Sequence, residues 1–218
     1  MKQVIQIRCK NNKKSQKVEI GSTLFDIFSA FDLKMTHGPV SARVNNKVEG
    51  MHYRVYNSKD VEFLDMTSSS GSRAYTRTLF FVLCKAVQDI YPATDVVIDI
   101  PVSNGFYVDI RLGRPVVDED VNIIRRRMQE IIDARMPIRR FTVPTEEAVA
   151  LFQEKGDVEK VKLLKTSGSI YTTYYKIGDY VDYYYGTLLT NTSQLYLFGL
   201  EKYYDGMLLR IPSLKNPD

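Results

Sequence analysis

The stretch TSSSGSRAYTRTLFFVL, residues 67–83, divides the 218-residue chain into two parts of different rhythm. Its first six residues, Thr67 to Ser72, are small and polar, the composition of a linker. The rest leads into a helix. From Thr78 to Tyr91 apolar residues recur at helical spacing, and Pro92 ends the run. Arg77 and Phe81 lie four residues apart and share one face of that helix.

Before the break, short strands surround one helix. Val4 to Cys9 and Gln16 to Ile20 read as a hairpin through the Asn/Lys-rich turn at Asn11 to Lys14. Ser22 is placed to cap a helix carrying Leu24, Phe25, Ile27, Phe28 and Phe31. Ser41 to Asn45 and Val61 to Leu64 follow as strands. This order over residues 1–66 predicts a small β-grasp domain of the ubiquitin type.

After the break, residues 73–218 read as a larger mixed domain. Val96 to Ile100 and Gly105 to Ile110 are strands around a turn at Ser103-Asn104-Gly105. Asp118 is placed to cap a helix whose residues Val121, Ile124, Met128, Ile131 and Ile132 share a face. A short helix after Thr145 ends at Gly156, and another follows Asp157. Gly168 to Ile211 is β-structure rich in tyrosine. The fold class is α+β: a β-grasp domain, a linker over 67–72, and a domain with helices packed on an antiparallel sheet.

Composition sets limits on function. The longest purely apolar run, Leu79 to Cys84, is far too short to span a bilayer. The N-terminal residues MKQVIQIRCKNNKK turn basic without the apolar core of a signal peptide, which predicts a cytoplasmic protein without membrane contact. Two cysteines, Cys9 and Cys84, build no disulfide framework. The formal charge of +4 lies wholly in residues 1–66, with 11 basic against 7 acidic side chains. That bias permits contact with RNA and equally describes a solvated surface.

Several chemistries lack their parts. There is no Gly-Lys-Ser/Thr and no GxGxxG, so these residues are not expected to transfer phosphoryl groups. Both histidines, His37 and His52, precede the break, which leaves the second domain without a zinc ligand set or a histidine-activated nucleophile. No metal and no cofactor is expected here. Arg125, Arg126, Arg127, Arg139 and Arg140 suit phosphate contact, but consecutive helix residues diverge, and a solvated surface is the alternative. Ten of the 15 tyrosines fall between Tyr171 and Tyr204. Such rings stack on bases or pack within strands.

The order of motifs resembles a known pair of modules. Residues 1–66 resemble a TGS domain, a β-grasp module of threonyl-tRNA synthetases and certain GTPases. Residues 73–215 resemble the second additional domain of threonyl- and alanyl-tRNA synthetases, which clears mischarged tRNA. The likeness rests on SNGFYVDI (103–110), VVDEDVNIIRRRMQEII (116–132), EKVKLLK (159–165) and YVDYYYG (180–186). In that family, His-x-x-x-His on the first long helix and Cys-x-x-x-His after the YVD strand perform the hydrolysis. The resemblance places these four positions at Arg77, Phe81, Tyr184 and Leu188, all changed. Two further pocket positions match, Lys160 and Asp182. With Arg77 and Tyr184 they are the candidate ligand-binding residues. Arg77 is expected either to pair with Asp182 and seal the pocket or to hold an anionic ligand.

The same two modules head bacterial uridine kinase-like nucleoside kinases, and the tail MLLRIPSLKNPD resembles the entry to such a kinase domain. The leading expectation is therefore a non-catalytic accessory region of a nucleoside kinase. It would bind RNA or a nucleotide-like regulatory ligand, with ATP and Mg used only by the absent kinase domain in cis. The alternatives are an active aminoacyl-tRNA editing domain and a structural or dimerisation module.

Overall fold

The computed structural model describes residues 3–103 and 105–212. Asn104 of the expected turn and residues 213–218 of the expected kinase entry lie outside the described residues. The chain divides into two compact units: a larger one formed from the residues up to Met136 and from Thr187 onward, and a smaller one, Pro137–Gly186.

The larger unit begins with a hairpin, β1 (Val4–Cys9) and β2 (Ser15–Glu19), paired antiparallel. Period-2 alternation buries Ile5, Ile7 and Cys9 and leaves Val4, Gln6 and Arg8 in solvent. Helix α1 (Leu24–Ala30) lays Leu24 and Ile27 on this face. Strands β3 (Ser41–Val44), β4 (Lys47–Gly50) and β5 (Lys59–Leu64) complete a sheet of order β2-β1-β5-β3-β4, with β1 and β5 parallel. This is the expected β-grasp arrangement. The cap of α1 differs from expectation. Thr23, not Ser22, accepts from the Asp26 amide at 3.2 Å, and the Asp26 carboxylate accepts from the Thr23 amide at 2.8 Å. A reciprocal cap needs an acid or amide three residues on, which Thr23 has and Ser22 lacks.

The residues expected to form a linker belong instead to helix α2 (Ser69–Ile90), nine residues longer at its start than the apolar spacing implied. Ser68 caps it, its hydroxyl accepting from the Gly71 amide at 3.0 Å. Serine and glycine are weak helix formers, but the first turn packs against the end of β5, and tertiary contact outweighs propensity. The β-grasp sheet therefore runs into α2 without a gap in packing, and both lie in one unit.

Strands β6 (Val96–Val102) and β7 (Gly105–Ile110) and helix α3 (Asp118–Asp133) follow. Asp118 is the first helical residue, not the cap. The capping carboxylate is Asp120, which accepts from the Val117 amide at 2.9 Å. The smaller unit comprises β8 (Arg139–Pro144), α4 (Thr145–Glu154), α5 (Val158–Thr166), β9 (Tyr171–Ile177) and β10 (Tyr180–Tyr183). Its sheet has the order β10-β9-β8, antiparallel throughout. Ala148, Val149, Phe152, Leu164 and Val181 form its core. Gly156 ends α4 in the left-handed region, φ +74°, as its position after the helix implied.

The chain then returns to the larger unit. β11 (Gly199–Tyr203) and β12 (Gly206–Arg210) join β7 and β6 in an antiparallel sheet of order β11-β12-β7-β6. Phe80 of α2 meets Phe106 of β7 edge to face at 4.9 Å, which sets the helix on that sheet. Arg127 of α3 donates to Asp89 of α2 at 2.9 Å, and Asp89 also accepts from the buried Lys85 at 3.0 Å. Among the described residues no helix is long and apolar enough to cross a membrane.

Candidate functional site

In the smaller unit, strand alternation turns Val181 into the core and Asp182 to the other side of β10, where a lysine from α5 reaches it. Lys160 Nζ donates to Asp182 Oδ1 at 2.9 Å and to Asp157 Oδ2 at 2.7 Å. Asp157 also caps α5, accepting from the Lys160 amide at 3.0 Å. Asp182 accepts further bonds from the Tyr180 hydroxyl at 2.8 Å and the Tyr183 amide at 2.7 Å. The Lys160 ammonium stands 5.7 Å above the Phe152 ring. Burial alone would depress this lysine, but the Asp182 and Asp157 carboxylates outweigh it and hold the ammonium above its ordinary value. Lys160 thus stays charged across the neutral range, a fixed cation between two carboxylates. Such a group binds and orients a polar ligand but does not shuttle protons near pH 7.

The structure therefore brings together two expected pocket residues, Lys160 and Asp182. It adds Asp157, which the sequence identified only as a helix start. The i,i+3 spacing of Asp157 and Lys160 on α5 was the available signal.

Three of the four positions that the resemblance gave to hydrolysis lie on the larger unit or its return segment. Arg77 is half-buried on α2. Phe81, one turn on, is 0% exposed, and Leu188 is 2% exposed. The two segments are tied next to these positions: the Leu189 amide donates to Thr78 Oγ1 at 2.9 Å, and that hydroxyl donates to the Ala74 carbonyl at 2.7 Å. Both Phe81 and Leu188 are thus closed apolar positions beside a satisfied polar tie. Neither Thr78 nor Leu189 stands out in the sequence, because 111 residues separate them. Tyr184, the fourth position, is half-buried in the smaller unit.

The return segment is anchored elsewhere as well. Thr192 Oγ1 donates to the Ile131 carbonyl at 2.9 Å, and Gln194 Nε2 donates to the Pro39 carbonyl at 2.9 Å. The Tyr75 hydroxyl donates to the Leu197 carbonyl at 2.8 Å and accepts from the Tyr196 and Leu197 amides at 3.0 and 2.9 Å. Burial pushes this phenol well above its ordinary range.

The arginine candidates divide between the two units. Arg127 is engaged by Asp89 and by Glu130 at 2.9 Å, and Arg125 donates to Asn122 at 2.8 Å. Arg139 and Arg140 are exposed on β8. Within YVDYYYG the rings divide, though not by alternation: Tyr183 packs on the small core, whereas Tyr185, two residues on and past the end of β10, is 88% exposed. Among the described residues no three His, Cys, Asp or Glu side chains converge to hold a metal ion.

Comparison with known proteins gives this geometry a context. No protein-family model matches the chain. The threonine–tRNA ligase of Acetivibrio thermocellus is 29% identical over 181 residues, 83% of this chain and 28% of the ligase. That of Clostridium kluyveri is 30% identical over 193 residues, 88% of this chain and 30% of the ligase. That of Syntrophotalea carbinolica is 30% identical over 204 residues, 88% of this chain and 32% of the ligase. Over most of its length the chain is therefore similar to threonine–tRNA ligases, in agreement with an editing-like domain. It spans about three-tenths of the length of these relatives.

Proposed function

We propose that this chain is an editing-like module of the threonine–tRNA ligase kind, headed by a TGS-like β-grasp domain, that holds the aminoacylated end of a tRNA without hydrolysing it. The observation that supports this reading is the Lys160 pair with Asp182 at 2.9 Å, two residues that the resemblance gives to the editing pocket, together with the burial of Phe81 and Leu188, which it gives to hydrolytic positions. Ester hydrolysis needs a group that activates water or attacks the carbonyl. Phenylalanine and leucine have no lone pair to offer, an arginine keeps its proton, and a tyrosine hydroxyl replaces the thiol at Tyr184. Lys160 and the carboxylates beside it still offer a charged, hydrogen-bonding wall for the amino and hydroxyl groups of an aminoacyl ester.

The similarity to threonine–tRNA ligases supports this reading over the nucleoside kinase parent, to which those relatives lend no support. The kinase reading keeps one argument, the change of all four hydrolytic positions, and the reading frame beyond Asp218 decides between the parents.

The binding half of the proposal is tested with a seryl-amide analogue of an aminoacylated acceptor stem, which cannot be hydrolysed, followed by fluorescence anisotropy. The chain is expected to bind it better than the bare stem, with affinity falling as salt rises because phosphates are being neutralised. Lys160→Ala is expected to weaken binding about tenfold, the loss of one charge-assisted contact. Equal affinity for charged and bare stems would overturn the pocket assignment. No binding of either RNA would leave a structural module.

A further inference from the structure

The face of the β11-β12-β7-β6 sheet that turns away from α2 carries a cluster of rings and charges that the editing-like reading does not use. Phe106 meets Phe80 of α2, so alternation along β7 sends Tyr107 and Asp109 out of the opposite face. Strand register extends that face as a row, Ile100, Tyr107, Leu208 and Glu201, one residue from each strand. Leu208 is buried in the row, while Ile100 at its end is 57% exposed. Three tyrosines pack together here. Tyr107 meets Tyr203 edge to face at 6.3 Å, and Tyr203 meets Tyr204 edge to face at 4.7 Å. The Tyr107 ring reaches the others across Gly206, where a Cβ would stand 2.7 Å from its Oη and 2.8 Å from its Cζ.

The outermost ring is held by a strained backbone. Tyr204 and Asp205 form the two-residue turn between β11 and β12, and Tyr204 lies in the left-handed region at φ +49°, where a bulky side chain is rare. Lys202 Nζ donates to the Tyr204 carbonyl at 2.7 Å and fastens the turn. The ring held in this way is 77% exposed, so core packing does not account for the strain. Strain of this kind concentrates where a surface binds. The charges around the rings are one-sided. Arg210 is taken up by Glu201, through Nε at 3.0 Å and Nη2 at 2.6 Å. Asp109 and Asp205 are not taken up: among the described residues neither carboxylate makes a hydrogen bond or an ion pair. Burial raises the Tyr107 phenol above its ordinary value, and the Asp109 and Asp205 carboxylates add to that effect, as charges near the ring do.

We infer that this face docks an arginine-bearing segment of a protein partner. A guanidinium stacks on the face of a tyrosine ring and forks onto a carboxylate, and this corner of the sheet supplies both groups. Ile100 offers apolar surface to the methylene stem of such a side chain. The two unpaired carboxylates decide the sign of the partner. Rings alone also accept a stacked base, but Asp109 and Asp205 repel the phosphates that come with it and attract a cation. Tyrosine and arginine are also the residues that dominate the centres of protein interfaces. The inference does not rest on Lys160 and Asp182, which belong to the smaller unit.

The test uses the full chain labelled with ¹⁵N and three probes: an alternating glycine–arginine peptide, the same peptide with citrulline in place of arginine, and oligouridylate. The arginine peptide is expected to shift the amides of Tyr107, Tyr203, Asp205 and Gly206. It is expected to bind about tenfold tighter than the citrulline peptide, which keeps the shape and loses the charge. Tyr204→Gly is the most telling variant. Glycine accepts the left-handed turn without strain, so the urea midpoint is expected to hold while peptide binding weakens about tenfold. Asp109→Asn and Asp205→Asn are each expected to weaken binding about fivefold, whereas Glu154→Gln, exposed on α4, leaves it unchanged. Absence of shifts at these amides with the arginine peptide would overturn the inference. Equal binding of the citrulline peptide, undiminished binding by Tyr204→Gly, or equal weakening by Glu154→Gln, which marks diffuse charge, would overturn it too. Shifts of the same amides by oligouridylate and not by the arginine peptide would assign the rings to base stacking instead.

Discussion

Replacing Gly71 by alanine is expected to destabilise the larger unit by about 3 kcal/mol, despite the better helix propensity of alanine. A Cβ at this position would stand 1.8 Å from the Asp65 carbonyl oxygen, 2.6 Å from its carbon and 2.8 Å from Val40 Cγ2. The first two are backbone atoms at the end of β5, so no rotamer change relieves the clash. The first turn of α2 must lift from the β-grasp sheet, or the strand end must move. The same substitution in an exposed linker would be neutral or stabilising by up to about 1 kcal/mol, through loss of unfolded-state freedom. Urea denaturation of wild type and Gly71→Ala separates the two pictures. A fall in midpoint is the expected result, and an unchanged or raised midpoint would restore the linker.

Asp120→Ala is expected to cost about 2–3 kcal/mol at neutral pH. This carboxylate is 3% exposed and collects four bonds: Arg114 donates through Nη1 at 2.6 Å and Nη2 at 2.8 Å, the Tyr91 hydroxyl at 2.6 Å, and the Val117 amide at 2.9 Å. Truncation leaves a phenol and a helix N-terminal amide without their acceptor. Arg114 is half-exposed and recovers water, so most of the loss comes from the other two. The Arg114 bonds, helped by Tyr91 and the Val117 amide, hold this carboxyl well below the usual range against the opposing effect of burial. Its stabilisation is therefore complete above the unfolded aspartate value of about 3.9 and is lost as pH falls through the depressed folded value. Urea midpoints between pH 5 and pH 2 should fall less steeply in Asp120→Asn than in wild type. Parallel curves would mean that this carboxylate does not carry the acid sensitivity assigned to it.

What the sequence disclosed and what it hid follow one physical division. The β1–β2 hairpin and the core face of α3 were legible because each is written in local periodicity, of 2 and 3.6 residues. β4 was not legible, since Lys47-Val48-Glu49-Gly50 is short, half polar and ends in glycine, and it becomes a strand by pairing with β3. The first turn of α2 was misread because Ser68 to Ser72 has linker composition, and only the contact of Gly71 with Asp65 gives that composition another meaning. Lys160 and Asp182 were legible as a pair only through the resemblance, because 22 residues and a change of element type separate them. The Arg114–Asp120–Tyr91 cluster was missed for a similar reason: Tyr91 lies 29 residues from the carboxylate it bonds.

The central claim, an editing-like fold without the hydrolytic groups, is tested most directly by deacylation. The purified chain is mixed with seryl-tRNA carrying the threonine anticodon, and release of serine is followed against buffer alone. The account predicts release no faster than in buffer, with wild type and Lys160→Ala indistinguishable. Acceleration of tenfold or more by the wild-type chain, lost in Lys160→Ala and in Asp182→Ala, would contradict it and identify an active editing site built from other residues.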